Sequence, residues 1–262
     1  MYAICGVGNW GTKLLREFSQ TQEFKYFCCK SSEKADLINQ EFENLARASL
    51  EQICADDQIT DVLVSVPIKN LAEFSRKLLL SNKNIFLEKP GSQSLNEIKK
   101  LQDIKSSSFV HVNYKFLFHE KILELKRNVA AGEKIVRFNF EWLKYGSFGN
   151  DIKLNLLTHI LSILEFVFPE EKFYMEYLTL QKDSLLVSCF SDNIRGRILI
   201  CRKSQNRKFH LSVENSNKTI KKLDLNSQNV LKKSADCFIN KTNQSFRLEF
   251  ASKVLNNLEN IR

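Results

Sequence analysis

Gly6-Val7-Gly8-Asn9-Trp10-Gly11 lies directly after a short apolar strand, Tyr2–Cys5, and opens a stretch with helical character, about Gly11–Ser19. That context makes a weak pattern informative. In Gly-x-Gly-x-x-Gly one glycine permits a tight turn, the next lets a pyrophosphate approach the backbone, and the third lets helix and strand pack closely. The helix then begins with outward-pointing amides that hold phosphate. A second strand, Phe24–Cys29, follows about 20 residues on, as a dinucleotide-binding unit requires. Gly6, Gly8, Asn9, Trp10 and Gly11 are therefore read as cofactor-binding.

Outward from this turn the first half alternates strand and helix. A helix begins over Glu33–Asn39. Asp61–Val66 reads as a buried strand stopped by Pro67, and Asn70–Ser81 as a helix with Leu71, Phe74 and Leu78 on one face. Asn84–Leu87 is a strand, Ser94 and Glu97 form a capping-box pattern, and Phe109–Tyr114 closes the series. The second half changes style. In Lys134–Leu143, Val136, Phe138, Phe140 and Trp142 alternate with Arg137, Asn139 and Glu141. One helix, about Lys153–Phe168, precedes five further strand-like runs: Phe173–Leu180, Ser184–Phe190, Arg197–Cys201, Phe209–Val213 and Thr219–Leu223. The tail, about Ser227–Ile261, reads as helical. The expected fold is α/β: a Rossmann domain with a doubly wound parallel sheet over residues 1–113, then a smaller α+β domain with an open, mostly antiparallel sheet over 114–262.

Composition bounds the alternatives. The 262 residues are 43% apolar and include 20 Phe, enough to build a core, while 8 Gly and 3 Pro argue against disorder. The most apolar stretch, Leu156–Phe168, is too short for a bilayer and contains His159 and Glu165. No secretory leader is visible. The seven cysteines show no Cys-x-x-Cys or paired metal spacing, so no metal site is expected and a reducing cytoplasm is the simplest setting. Nine bases and one acid between Arg195 and Lys222 concentrate a charge of +8 in a chain whose net charge is +9. Such a segment is a solvated sheet face, or a surface that attracts an anionic substrate. It carries no helix-turn-helix, zinc pairs or RNA-recognition signature, so no specific nucleic-acid partner is expected.

The end of the second strand bears on cofactor choice. An acid there usually holds the adenosine ribose. This chain has Cys29-Lys30-Ser31-Ser32, with no acid until Glu33. Lys30, Ser31 and Ser32 suit a 2′-phosphate, which favours NADP over NAD. The other reading is a solvated lysine and relaxed selectivity.

Some 80 residues after the glycine turn stands Leu87-Glu88-Lys89-Pro90. Together with Asp61-Val62-Leu63-Val64-Ser65-Val66-Pro67, the helix after it and Asn84-Ile85-Phe86-Leu87, it resembles the glucose–fructose oxidoreductase/inositol dehydrogenase (Gfo/Idh/MocA) family. The resemblance is specific to about residue 115 and looser beyond. It implies hydride transfer between NAD or NADP and a carbinol or carbonyl carbon of a sugar, nucleotide sugar or related small molecule. It also implies a homo-oligomer assembled through the C-terminal sheet. It places Val66, Pro67 and Glu88 with the cofactor, and Lys89 beside both nicotinamide and substrate oxygen, where an ammonium polarises a carbonyl or stabilises an alkoxide. The family's Asp-x-x-x-His helix matches Asn155-Leu156-Leu157-Thr158-His159, so Asn155 and His159 share a helical face with Ser162 beside them. His159 can shuttle a proton, the general-base duty falling on His159, Lys89 or Asp151, and Lys115 and Asp151 are expected as further substrate contacts. The expected catalytic set is Lys89, His159 and Asn155. Two departures stand out: Asn155 replaces the acid, and Leu71 stands where a histidine is often found. They leave a second expectation open, a dinucleotide-binding sensor or scaffold without dehydrogenase activity.

Overall fold

A computed structural model describes residues 1–226, 229–242 and 246–262. In chain order the first elements are β1 Tyr2–Cys5, α1 Asn9–Phe18, β2 Phe24–Cys28, α2 Ser32–Glu41, β3 Ala46–Arg47, α3 Leu50–Ala55, β4 Asp61–Val64, α4 Ile68–Leu80, β5 Asn84–Glu88, α5 Leu95–Gln102 and β6 Val110–Asn113. A 3-10 turn, Lys115–Phe118, leads to α6 Glu120–Ala130 and β7 Ile135–Tyr145. A π-helical turn, Lys153–Leu157, runs into α7 Thr158–Val167. Then come β8 Tyr174–Leu180, β9 Ser184–Phe190, β10 Arg195–Cys201, β11 Lys203–Asn215, β12 Ile220–Asp224, α8 Val230–Ile239 and α9 Leu248–Glu259. The chain divides into two units, Met1–Tyr114 with Leu231–Ser252, and Lys115–Val230 with Lys253–Arg262.

The first unit holds a parallel sheet of order β3-β2-β1-β4-β5-β6. Its central strands β1, β4 and β5 are buried on both faces, which is why they read as continuous apolar runs. The order reverses between β1 and β4, and that switch point is where doubly wound folds bind ligands, outside the carboxyl ends of the strands. One face is covered by Leu14, Leu15 and Phe18 of α1 and by Phe238 of α8. Phe238 meets Phe86 of β5 at 5.5 Å and Phe18 at 6.2 Å between ring centroids. This corrects the expected partition, because residues 231–252 pack with the first sheet rather than with the second domain. The helical reading of the tail holds for α8 and α9; Ser227, Gln228 and residues 243–245 lie outside the described residues. Ser94 caps α5 by accepting from Glu97 N, but Glu97 reaches back to Gln93 N rather than to Ser94. The complete capping box is at Ser49 and Gln52, opening α3.

The second unit holds a mixed sheet, β12-β11-β7-β10-β9-β8, antiparallel except for the parallel pair β7–β10. Phe138 and Phe140 of β7, Ile198 and Ile200 of β10, and Leu185, Val187 and Cys189 of β9 are buried. Val136, expected on the buried side with Phe138, is 37% exposed. An irregularity in the β7–β11 register, where Glu214 pairs with Arg137 and Asn215 with Ile135, skips Val136 and reverses the alternation there.

Candidate active site

In the first unit the glycine turn joins β1 to α1 at the switch point. Gly6 has φ +93°, and a Cβ on it would lie 2.5 Å from the carbonyl oxygen of Ser65. A Cβ on Gly11 would overlap the carbonyl of Gly6, so that glycine brings helix and turn together. Gly8 differs: nothing lies within 4 Å of where its Cβ would be. It is the N-cap of α1, in extended conformation, and Thr12 N is bonded to its carbonyl. The amides of Asn9, Trp10 and Gly11 thus precede the first intrahelical bond, the position at which helix N-termini hold anions. The first turn of α1 contains no acidic residue to compete. This is the fit expected for a pyrophosphate: open space over one glycine, backbone donors beside it, and a favourable helix dipole.

Glu88 ends β5 and Lys89 follows it, with a cis peptide bond to Pro90. Because β5 is two strands from β1, Lys89 and the glycine turn lie on the same edge of the sheet, roughly 10 Å apart by strand spacing. Lys89 is half-buried. Glu88 is buried, and its Oε1 accepts from the Trp10 indole N–H at 2.5 Å and from Asn113 Nδ2 at 2.7 Å. The Trp10 side chain is thereby drawn onto the end of β5. Asn113 Oδ1 accepts from the Ser234 hydroxyl of α8 at 2.9 Å. That hydroxyl has given its proton to Asn113, so at 3.0 Å it accepts from His111 Nε2–H, which fixes the imidazole tautomer. Burial holds the His111 pKa down at about 3, and the neutral ring stacks on Phe86 at 5.2 Å. His111 and Ser234 were not singled out in the sequence; their only signal is polarity inside an apolar strand and on an amphipathic helix.

Val66 and Pro67 follow β4, where Pro67 caps α4, and Leu71 is fully buried one turn into that helix. At the end of β2, Lys30 and Ser32 are exposed, while Ser31 Oγ caps α2 by accepting from Lys34 N at 3.3 Å. Arg47 of β3 is an addition. Its guanidinium donates to the carbonyls of Cys29 (2.9 and 3.1 Å) and Lys30 (3.1 Å), bracing the β2–α2 turn and bringing a second positive charge to it. A two-residue edge strand has no periodicity that would have flagged Arg47.

In the second unit, Asn155 sits half-buried in the π-helical turn and His159 one turn later in α7. A π-turn inserted before an α-helix is a feature frequent at functional sites. His159 is 7% exposed and is surrounded by rings: Phe116 at 5.0 Å, Trp142 at 5.6 Å, with Phe209 stacked on Trp142 at 4.3 Å. Lys115 begins the 3-10 turn that carries Phe116, and its Nζ lies 5.2 Å from that ring. Lys115 and His159 therefore lie at one aromatic cluster, and Asn155 precedes His159 by four residues. Asp151 Oδ1 accepts from the amides of Lys153 (2.8 Å) and Leu154 (2.9 Å), so it caps the helix start. Ser162 donates to the His159 carbonyl at 2.7 Å.

The basic segment is largely engaged within its own unit. Arg202 is buried and donates to Asp183 Oδ1 (2.9 Å) and to the carbonyls of Ser147 (2.8 Å), Asn150 (2.5 Å) and Lys182 (2.7 Å). Lys203 pairs with Asp183, Lys208 with Glu141 and Lys221 with Glu133, while Arg195 donates to the Ser191 carbonyl. Among the described residues no group of three or more His, Cys, Asp or Glu side chains comes together to hold a metal, and no helix is long and apolar enough to cross a membrane.

Residues 1–115 match the model of an oxidoreductase family described as having an NAD-binding Rossmann fold, Gfo/Idh/MocA. No curated protein matches by sequence. Among solved structures, the scyllo-inositol dehydrogenase of Lactobacillus casei with bound NAD(H) and scyllo-inositol has a TM-score of 0.86 at 10% identity, over 99% of this chain and 95% of that one. The UDP-N-acetylglucosamine 3-dehydrogenase of Acidithiobacillus ferrooxidans has a TM-score of 0.82 at 12% identity, covering 100% and 96%. The myo-inositol 2-dehydrogenase of Lactobacillus plantarum has a TM-score of 0.82 at 12% identity, covering 98% and 94%. At such identities the likeness carries the fold.

Proposed function

We propose, from the premise that this chain belongs to the Gfo/Idh/MocA oxidoreductase family through residues 1–115, that it oxidises or reduces a CH–OH/C=O carbon of a sugar, cyclitol or nucleotide sugar. The observation that carries this reading is the glycine turn with open space over Gly8, set on the same sheet edge as Lys89. The amides of Asn9, Trp10 and Gly11 hold the pyrophosphate, with Val66 and Pro67 lining the same edge. When bound, the nicotinamide gives or takes the hydride. The Lys89 ammonium stabilises the developing charge on the substrate oxygen, and Glu88, fixed by Trp10 and Asn113, positions the segment that bears it. His159 takes or returns the oxygen's proton. Asn155 and Lys115 orient the substrate. Asp151 acts through the helix start that it caps.

Lys30 and Arg47, together at the end of β2, favour NADPH over NADH. For the substrate's charge the test is ionic strength: an anionic substrate predicts a KM that rises with salt while saturated turnover holds. The outer face of the second sheet carries exposed apolar side chains among charged ones, Arg195 and Arg197 of β10 and Arg137 and Glu141 of β7. Leu186 and Leu199 are register partners there, with Tyr174 and Phe190 exposed nearby at 61% and 40%. This supports a homo-oligomer through that face, checked by light scattering of the wild type and Leu199→Glu; a monomeric wild type contradicts it.

A second reading keeps the cofactor and loses the chemistry. It is favoured by Asn155, an amide that cannot accept a proton, and by Leu71, buried where a histidine is often found. NADH and NADPH titrations, followed by a screen of cyclitols, sugars and nucleotide sugars, separate the two: binding with turnover supports the enzyme, and binding without any turnover supports the sensor.

A further inference from the structure

Beneath the glycine turn lies a pair of thiols that the proposed chemistry does not use. Cys5 ends β1 and Cys28 ends β2, and the two are register partners in the parallel ladder. Neighbouring strands lie about 4.8 Å apart, and partners in a parallel pair point to the same face, so their Cα separation falls in the range that a disulfide spans, roughly 4.4–6.8 Å. The Cys5 thiol is fully buried, and as register partners the two thiols share one face of the sheet. Cys28 is half-buried and feels the positive charges of Arg47 and Lys30, opposed by Glu51. The adjacent Cys5 thiol and then these two cations hold the Cys28 pKa down at about 7, while Cys5 is held well above the usual thiol range. One proton thus sits on Cys5, and Cys28 is the nucleophile. Cys29 takes no part: its sulfur is turned to the Ser31 carbonyl at 3.4 Å.

We infer that Cys28 and Cys5 form a peroxide-sensitive modification site that controls dinucleotide binding. The Cys28 thiolate attacks one oxygen of hydrogen peroxide; an S–O bond forms, the O–O bond breaks, and the departing hydroxide takes a proton to leave as water. Cys28 is then a sulfenic acid. The Cys5 sulfur attacks Cys28 Sγ, the S–S bond forms, the S–O bond breaks, and the second hydroxide leaves as water with the Cys5 proton. Two thiols lose two electrons, and peroxide is reduced to two waters.

The consequence is mechanical. Gly6 follows Cys5 directly, and its amide donates to the Cys28 carbonyl at 3.0 Å. A covalent bond between these register partners ties the two strand ends together at this junction. Gly6 is at φ +93° with Ser65 against it, so the turn has no slack to absorb the shift. Loss of one phosphate-holding amide corresponds to about a tenfold loss of affinity or more.

The test uses the reduced full chain. NADH affinity is measured before peroxide, after peroxide, and after dithiothreitol, with peptide mass mapping at each stage. The expected result is a Cys5–Cys28 cross-link, about tenfold weaker binding and recovery on reduction. Cys29→Ser behaves as wild type, Cys28→Ser keeps its affinity under peroxide, and Cys5→Ser stops at a sulfenic acid trapped by dimedone. A Cys28–Cys29 link, no link, or a cross-link that leaves affinity unchanged overturns the inference. The effect on binding rests on the dinucleotide reading proposed above; if the reduced protein binds no dinucleotide, that reading fails, while the cross-link mass still decides the thiol site.

Discussion

Gly8→Ala separates what the glycine turn does for the fold from what it does for a ligand. Gly8 has φ −71° and ψ −175°, which alanine adopts without strain, and its new methyl group meets no protein atom within 4 Å. The structural cost is confined to a poorer helix N-cap, under about 1 kcal/mol. A bound pyrophosphate meets that methyl group at the point of closest backbone approach. Displacing it from one charge-assisted amide bond removes about 1.5–3 kcal/mol, or roughly 10- to 150-fold in Kd. Gly6→Ala and Gly11→Ala are the structural controls: the first forces alanine to φ +93° against Ser65, and the second collides with the Gly6 carbonyl, so both lower Tm. The assay is a reduced-cofactor fluorescence titration run beside thermal melts. The expected Gly8→Ala protein melts close to wild type and binds at least tenfold more weakly. Wild-type affinity in Gly8→Ala refutes the claim that these amides hold the cofactor.

Other perturbations follow from the same geometry. Lys30→Ala and Arg47→Ala should each weaken NADPH more than NADH, by titration; equal losses for the two cofactors refute a 2′-phosphate contact. Arg202→Met removes a buried guanidinium and leaves three carbonyls without that donor and Asp183 with Lys203 alone, so denaturant unfolding should show a loss of about 3 kcal/mol or more, and a loss below about 1 kcal/mol contradicts the clamp. Asp56, which accepts from Lys25 Nζ and Gln58 N, has its pKa held down from 3.8 to about 2, first by the lysine. A depressed carboxyl contributes stability above its unfolded value and loses it as pH falls through the folded one. The stability gap between wild type and Asp56→Asn should therefore close between pH 3.8 and about 2, and a gap that stays constant there contradicts this.

Much of the first unit was legible because its signals are local. The glycine turn, the apolar runs of β1, β4 and β5, and the Pro67 stop each depend on neighbours in sequence. What was not legible depends on distant partners. The amphipathic pattern of α8 says that Phe238 is buried, but not that it is buried against Phe86. Alternation in β7 gives the correct face for Phe138 and Phe140 and the wrong one for Val136, because the irregularity opposite Asn215 is set by β11. The segment's charge suggested a free surface, yet Arg202, its most buried member, is enclosed by carbonyls contributed from residues 147–183. The candidates Lys89, in the first unit, and Asn155 and His159, in the second, came from motifs contiguous in sequence. The Trp10–Glu88–Asn113–Ser234–His111 chain was not legible, because it joins five positions far apart in sequence through side-chain geometry alone.

The most direct measurement of the central claim is steady-state turnover, followed by nicotinamide absorbance, of wild type and Lys89→Ala across cyclitols, sugars and nucleotide sugars. The expected result is turnover by the wild type on at least one compound, and its loss in Lys89→Ala while cofactor affinity stays within a few-fold. A Lys89→Ala protein that turns over at the wild-type rate contradicts the assignment of Lys89 to the reacting oxygen.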